Sequence, residues 1–304
     1  MGFVRKLFLK FLRFSGLYAL FLYLMNGAYL LNVLSVKETF EMIRQGKTII
    51  RFGDGELRLL MEVGEAGFQK RNPGLEKNLK EIFSSYCSGK EKRLLLCMPG
   101  ALSRSPREYK MTKEVSFWWF TFVLKYFENL KNLFFSCKRN IFGEAYITRP
   151  YYAVQNVDFA KFVFEEFKDV FKGKRLLIIE GRLTRFGVGN DLLIGAKSVR
   201  RILGPEIDAY DRVDELFERA KIEECDIVLI ALGPAAKVLA YRLNKIGFCC
   251  LDVGHLDVEY EWYKMGAKEK VSIANKYVNE SREKFVESDG VIGDYGKEVI
   301  YLCR

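Results

Sequence analysis

The chain is 304 residues long, 49% apolar and 29% charged, with a formal net charge of +10. That apolar content suffices for one large domain or two small ones and excludes a disordered chain, while the basic residues, spread out and mixed with acids, form no tract or module that binds nucleic acid. The seven cysteines (Cys87, Cys97, Cys137, Cys225, Cys249, Cys250 and Cys303) lack CxxC spacing and partly lie in apolar strand-like runs, which argues against a zinc site and predicts structural thiols in a reduced, cytoplasmic compartment.

Arg13 and Lys37 bracket an uncharged, mostly apolar stretch, FSGLYALFLYLMNGAYLLNVLSV, long enough to cross a bilayer. Ahead of it, Lys6, Lys10 and Arg13 share one helical face against Phe and Leu on the others. Residues 1–34 therefore read as a helical, membrane-associating segment at the membrane surface. A span with its basic end inside would carry the following domain out of the cytoplasm, away from nucleotide-activated substrates; a helical hairpin packed on the domain or a partner is the other alternative. No small-residue cleavage site follows the apolar run, which disfavours a signal peptide. The expected location is cytoplasmic, peripheral at the inner face of the cell membrane.

From Ser35 the chain reads as α/β. Ser35 caps a short helix, VKETFEMIRQG, that ends at Gly46. Then follow strand TIIRF, helix GLEKNLKEIFSSY, strand RLLLCMP, and an aromatic-rich helix KEVSFWWFTFVLKYFENL whose Phe117, Trp118, Trp119 and Phe120 are expected in the core. After AYITRPYY and helix DFAKFVFEEFKDVF come three strand-loop-helix units: KRLLIIE into GRLTRFGVGN, CDIVLIAL into GPAAKVLAYRLNKIG, and FCCLDVG into HLDVEYEWY. Apolar strands without alternation, each followed by a helix, predict a Rossmann-like, mostly parallel sheet with helices on both faces, one domain over residues 35–304.

Ligands of such sheets gather at the carboxyl ends of the strands. RFGDGE, EGRLTRFGVGND, ALGPAA and VGHLDVEYEW all start where a predicted strand ends, so these polar clusters should converge on one rim. In RFGDGE, Asp54 and Glu56 leave an extended segment on the same side and could share a magnesium or manganese ion. Gly53 and Gly55 would allow a bend and close ligand approach, and Arg51 lies just upstream. The alternative is a turn and helix start, with Glu56 favouring the helix N-terminus.

Gly187 and Gly189 precede a predicted helix, where backbone N–H groups can receive phosphate. Asn190 and Asp191 would cap that helix, and Arg182 and Arg185 would offer guanidinium forks to phosphate oxygens. Leu192 stands where a dinucleotide fingerprint needs its last glycine, and no GxxxxGK[ST] occurs, which disfavours an NAD enzyme and a P-loop ATPase. Gly233 and Pro234 open a helix next to a close backbone turn. His255, the only histidine, precedes Asp257, Glu259 and Glu261, which share a face if extended. A triad hydrolase is disfavoured, since no GxSxG is present.

Taken in order, IIRFGDGE, AYITRPY, IEGRLTRFGVGNDLL, SVRRILGP, LIALGPAAKVLAYRL, DVGHLDVEYEW and KVSIANKYVNE resemble the bacterial glycosyltransferases of the GT-D fold over roughly residues 36–281. The resemblance implies transfer of a sugar from a UDP-sugar donor to a glycan, glycolipid or glycoprotein acceptor. It also implies a DxE motif, matched by Asp54 and Glu56, with a divalent metal usually written as manganese. Arg149, Glu180 and Gly181 fall within the shared segments and join the expected donor-binding set. Asp257, Glu259, Glu180 and His255 are the candidates for a base that accepts the acceptor's proton. The family more often has threonines where GPAAKV has Ala235 and Lys237, and commonly Asp at Arg242. Two rival readings stand beside it: a non-catalytic nucleotide-sugar or phosphoglycan binding protein, which would use the same rim without the metal, and a membrane-attached scaffold of a polysaccharide-assembly complex, which would need only the N-terminal segment and an aromatic face such as Phe117, Trp118, Trp119 and Phe120.

Overall fold

The computed structural model describes residues 31–64, 72–103, 108–135, 137–139, 141–154, 156–288 and 295–303. Nine parallel strands form one sheet: β1 (Asn32–Val33), β2 (Thr48–Arg51), β3 (Leu94–Met98), β4 (Ile141–Glu144), β5 (Arg175–Gly181), β6 (Ser198–Gly204), β7 (Ile227–Ala231), β8 (Cys250–Asp252) and β9 (Val299–Leu302). Their spatial order is β1-β4-β3-β2-β8-β7-β5-β6-β9. The central runs TIIR, LLLCM, IVLIA and CLD are buried almost throughout, as expected of parallel strands covered on both sides.

The helices are α1 (Val36–Arg44), α2 (Asp54–Leu60), α3 (Pro73–Cys87), α4 (Lys113–Phe135), α5 (Val157–Phe171), α6 (Val213–Ala220), α7 (Ala235–Lys245), α8 (Leu256–Met265) and α9 (Tyr295–Glu298). They pack in two groups, α2, α3, α7 and α6 in one, and α1, α5 and α8 in the other. Local chemistry explains their starts. Ser35 accepts from the Glu38 N–H and Glu38 reaches back to the Ser35 N–H, a complete capping box on α1. Asn72 and Asn156 cap α3 and α5. Trp119 and Phe120 are buried, as expected, whereas Trp118 is exposed.

The α/β reading and the parallel sheet are borne out, with four differences. No helix follows Gly187 and Gly189: residues 182–197 run through turns directly into β6, because the loop is held by side-chain contacts described below. β1, β4, β6 and β9 are strands that the periodicity does not mark; they are short, or carry Gly143 or the charged pair Arg200 and Arg201 in mid-strand. Residues 31–34 belong to the sheet edge, not to a helical segment: Leu31 bridges to Ser103 and the Leu34 N–H donates to the Phe142 carbonyl at 2.8 Å. The basic and apolar helix expected over residues 1–30 lies outside the described residues, and no described helix is long and apolar enough to cross a membrane.

The fourth difference concerns sulfur. Cys87, the last residue of α3, and Cys137, just beyond α4, form a disulfide across 50 residues of chain, so not all seven cysteines are free thiols. The two helix ends are brought together at the β4 edge, where Phe134 packs edge-on to Phe142; sequence spacing carries no sign of that meeting. Cys97, Cys225, Cys249, Cys250 and Cys303 are free.

Candidate active site

The topology makes β2 and β8 neighbours at the middle of the sheet although about 200 residues separate them in the chain. Arg51, the last residue of β2, is bound to Asp252, the last of β8, in three ways. Its backbone N–H donates to Asp252 Oδ2 at 3.2 Å, its Nε to the Asp252 carbonyl at 2.8 Å, and its Nη2 to Asp252 Oδ1 at 3.2 Å. Arg51 Nη1 also donates to Thr148 Oγ1. Gly254 lies flat against this guanidinium: its φ is +47°, and a Cβ there would collide with Arg51 Nη2. Burial pushes the Asp252 carboxyl up, but Arg51 and Lys237 more than reverse it and hold it below its ordinary value.

Lys237 stands in the first turn of α7 with its side chain only 6% exposed. Its ammonium lies 3.1 Å from Glu56 Oε1, 3.2 Å from Asp252 Oδ2 and 3.2 Å from the Gly233 carbonyl. Gly233 turns through a φ of +55° to present that oxygen, and Pro234 starts the helix as expected.

Asp54 and Glu56 are not in an extended segment. They occupy the first turn of α2, where a two-residue offset turns their side chains about 200° apart. Gly55 is likewise helical and makes no bend. Glu56 folds back so that its Oε2 accepts from the Gly53 N–H at 2.8 Å, the helix-start alternative read from the sequence. Asp54 Oδ2 is 2.6 Å from Arg58 Nη2, one helical turn on. Asp54 remains 33% exposed, and burial, reinforced by the nearby Glu56 and opposed by Arg58, raises its carboxyl above the ordinary value.

A divalent ion fits this donor set poorly. Of the expected pair, both Glu56 oxygens have an N–H or cationic partner and Asp54 Oδ2 is held by Arg58, and both oxygens of the adjoining Asp252 are likewise engaged. Among the described residues no three His, Cys, Asp or Glu side chains are placed to hold a metal.

The next stretch of rim is built from the turn after β4 and the start of α8. Arg149 Nη2 donates to His255 Nδ1 at 2.9 Å and pairs with Glu280. An arginine can only donate, so His255 Nδ1 accepts and its Nε2–H donates to Asn279 Oδ1 at 2.6 Å. Burial first, and then Arg149, lower the His255 pKa to about 4, which keeps the ring neutral. Burial raises the Glu280 carboxyl, but Arg149, helped by Lys270, outweighs it and leaves it below the ordinary carboxylate range.

The third stretch holds the loop after β5. Asp257 Oδ1 accepts from the Gly187 N–H at 2.9 Å and from Asn190 Nδ2 at 2.8 Å, and its Oδ2 is 2.7 Å from Lys276 Nζ. Asn190 also donates to Glu261 and accepts from the Leu192 N–H, which shapes a turn rather than a helix cap. Gly187 and Gly189 adopt φ of +72° and +80°. Because α8 is helical, Asp257 and Glu261 share one face while Glu259 turns away. Glu259 is fully buried and receives the N–H groups of Tyr151 and Tyr152 at 2.9 and 2.8 Å; burial raises its pKa to about 6.

Several expected donor contacts are occupied within the protein. Arg182 donates to the Cys303 carbonyl at 2.8 Å and Arg185 to the Asn275 carbonyl at 2.9 Å. Asp191 is held by Lys168 and Tyr260, chiefly by the Lys168 hydrogen bond, which keeps its carboxyl well below the usual range. Glu180, at the end of β5 beside Gly181, is sealed beneath the rim against Arg201 at 2.6 Å.

The model of the glycosyltransferase GT-D fold matches residues 49–281, the segment that carries all three stretches of this rim. The chain belongs to the GT-D glycosyltransferase family. It is 33% identical over 253 residues to "Probable glycosyl transferase Gly" of Streptococcus gordonii and 35% identical over 255 residues to "Glycosyltransferase GlyD" of Streptococcus pneumoniae serotype 4, matches that cover 82% and 83% of the chain. It spans 36% and 30% of those two proteins, about a third of their length. A solved structure described as "The highly conserved domain of unknown function 1792 has a distinct glycosyltransferase fold" superposes with a TM-score of 0.79 at 31% identity, covering 92% of this chain and 98% of that one. Another, "A New Glycosyltransferase (DUF1792) from Streptococcus sanguinis", superposes with a TM-score of 0.78 at 31% identity, over 90% and 100% of the two chains.

Within this GT-D domain, Arg51, Asp54, Glu56, Arg149 and His255 stand at the rim as expected, and Thr148, Asp252, Gly254, Asn279 and Glu280, which were not expected there, join them. Asp252 had a signal: a lone acid closing the apolar run FCCL. Thr148, Asn279 and Glu280 lie inside two segments that carry the family resemblance, AYITRPY and KVSIANKYVNE, but only folding brings them to Arg51 and His255.

Proposed function

We propose that this chain transfers a sugar from a UDP-sugar to a glycan, glycolipid or glycoprotein acceptor, with the donor's diphosphate at the carboxyl ends of β2 and β8. One observation supports the site most strongly. Arg51 and Arg149 are each fixed by their own partners, Arg51 by Asp252 and Thr148 and Arg149, the residue after Thr148, by His255 and Glu280, and Asp54, three residues beyond Arg51, is a carboxyl partly open to solvent. UDP as the nucleotide rests on the family likeness. The membrane-facing acceptor and the peripheral location rest instead on the basic and apolar pattern of residues 1–30.

In this reading the bond from the anomeric carbon to the diphosphate oxygen breaks and UDP leaves with the electron pair. Guanidinium groups held in place before the reaction stabilise the developing charge without reorganising. The acceptor hydroxyl forms the new bond and gives its proton to a base. Asp54 suits that role: it is partly exposed, and its raised carboxyl pKa favours proton uptake. Asp257 and Glu180 are buried against Lys276 and Arg201, and Glu259 is buried with the Tyr151 and Tyr152 N–H groups on its carboxylate. Both nitrogens of His255 are engaged, which makes it a positioning residue for Arg149. A screen of UDP-, GDP- and CMP-sugars for donor hydrolysis and transfer tests the proposal: a UDP-sugar should turn over, and Asp54→Asn should lose about 10²-fold or more in rate. UDP bound without turnover of any donor would leave a binding protein instead.

A further inference from the structure

The Lys237 ammonium sits where two rim carboxylates point at each other. Its three protons face three acceptors, Glu56 Oε1, Asp252 Oδ2 and the Gly233 carbonyl, all within 3.1 to 3.2 Å, which matches the full donor capacity of a lysine. Its stem is fixed in the first turn of a helix whose neighbours Ala235 and Ala236 are completely buried. The remaining Glu56 oxygen is held by the Gly53 N–H, and Asp252 is held further by Arg51. Two carboxylates thus face two fixed cations, Lys237 and Arg51, with no charge left over. A divalent ion entering here would meet like charge from both and would have to take oxygens that are already bound.

We infer that Lys237 is the built-in cation of this rim: its ammonium does for Glu56 and Asp252 what a divalent metal would otherwise do, so that nucleotide diphosphate binds without added metal. Lys237 is a positioning residue in this scheme. It holds the start of α2, and with it Asp54, against the end of β8, and through Asp252 it fixes Arg51. The consequence is specific to this side chain. Removing the ammonium leaves two carboxylates facing a gap about the size of a cation, so the variant should acquire the metal affinity that the natural protein lacks. The inference rests on the proposed donor class only for its nucleotide arm.

The test uses the full chain in two arms. In the first, manganese is added to protein alone and free aquo-manganese is followed by electron paramagnetic resonance. The natural chain should leave the metal free, and Lys237→Ala should bind it, with Lys237→Ala/Glu56→Gln losing that binding again. In the second, UDP is titrated calorimetrically in chelator and in manganese. The natural chain should bind with affinities within about threefold of each other, whereas Lys237→Ala should lose about tenfold or more in chelator and recover in manganese. Manganese bound by the natural chain and released by Glu56→Gln would overturn the inference, as would UDP binding that needs metal. Both of those readings come from chains that keep Lys237, so they stand even where Lys237→Ala fails to fold. If UDP is not bound under either condition the donor proposal fails, and the manganese arm still decides the role of Lys237.

Discussion

Two clusters of buried charge sit at strand ends in this domain, and they differ in what lies above them. Glu180 at the end of β5 and Arg201 in β6 are sealed on every side, with side-chain exposures of 0% and 2%. Arg201 also donates to the Phe186 carbonyl at 2.9 Å and pairs with Glu298 at 2.6 Å. Arg51, Asp252, Lys237 and Glu56 form a second buried set, with two charges of each sign, yet it borders the partly open Asp54 and the Arg149 and His255 pair. Charge at the end of a parallel strand is therefore not enough to mark a site. The first cluster ties two strands and a loop together; the second leaves groups that a ligand can reach.

The comparison predicts that the sealed cluster controls stability and the open one activity. Arg201→Met strands the Glu180 carboxylate and should cost about 3–5 kcal/mol in urea denaturation. Adding Glu180→Gln in the same chain should recover part of that loss, since the uncompensated buried charge is then gone. A single variant as stable as the natural chain would erase the distinction. Asp54→Asn should show the opposite pattern, about 10²-fold or more off the transfer rate with an unchanged melting temperature; a matching fall in melting temperature would move Asp54 into the structural class.

The neutral His255 sharpens the comparison through pH. Its pKa is lowered from 6.5 to about 4, so its contribution is present above pH 6.5 and is lost as pH falls towards 4, when the folded chain must take up a proton against burial and Arg149. That loss should reach about 3 kcal/mol, and His255→Gln should flatten the stability profile across this range. Glu259 runs the other way. Its pKa is raised from 4.5 to about 6, so stability present below pH 4.5 is lost as pH rises through 6, by about 2 kcal/mol. Glu259→Gln keeps an oxygen for the Tyr151 and Tyr152 N–H groups and should therefore raise stability at pH 7 relative to the natural chain. An unchanged profile in either variant would show that the residue faces more water than its burial indicates.

How much of this was legible beforehand depended on the distance over which each feature is encoded. The start of α1 at Ser35 and the buried strands β3, β5 and β7 follow from neighbouring residues, and the sequence alone determined them. The order of polar segments was equally legible, and with it the resemblance to the family, which those segments carry along the chain. The roles of those polar residues were not legible. Asp54 and Glu56 two apart fit both an extended metal-binding pair and a helix start, and the Gly53 N–H and Lys237 decided for the helix. Gly187 to Asp191 looked like a helix entrance until Asp257, some 70 residues on, took the Gly187 N–H. The Cys87 and Cys137 bond and the contacts of Lys237 with Glu56 and Asp252 are likewise long-range. Such pairings depend on strand order and on which carboxylates are left to face which cations after burial, and those quantities exist only once the whole sheet has assembled.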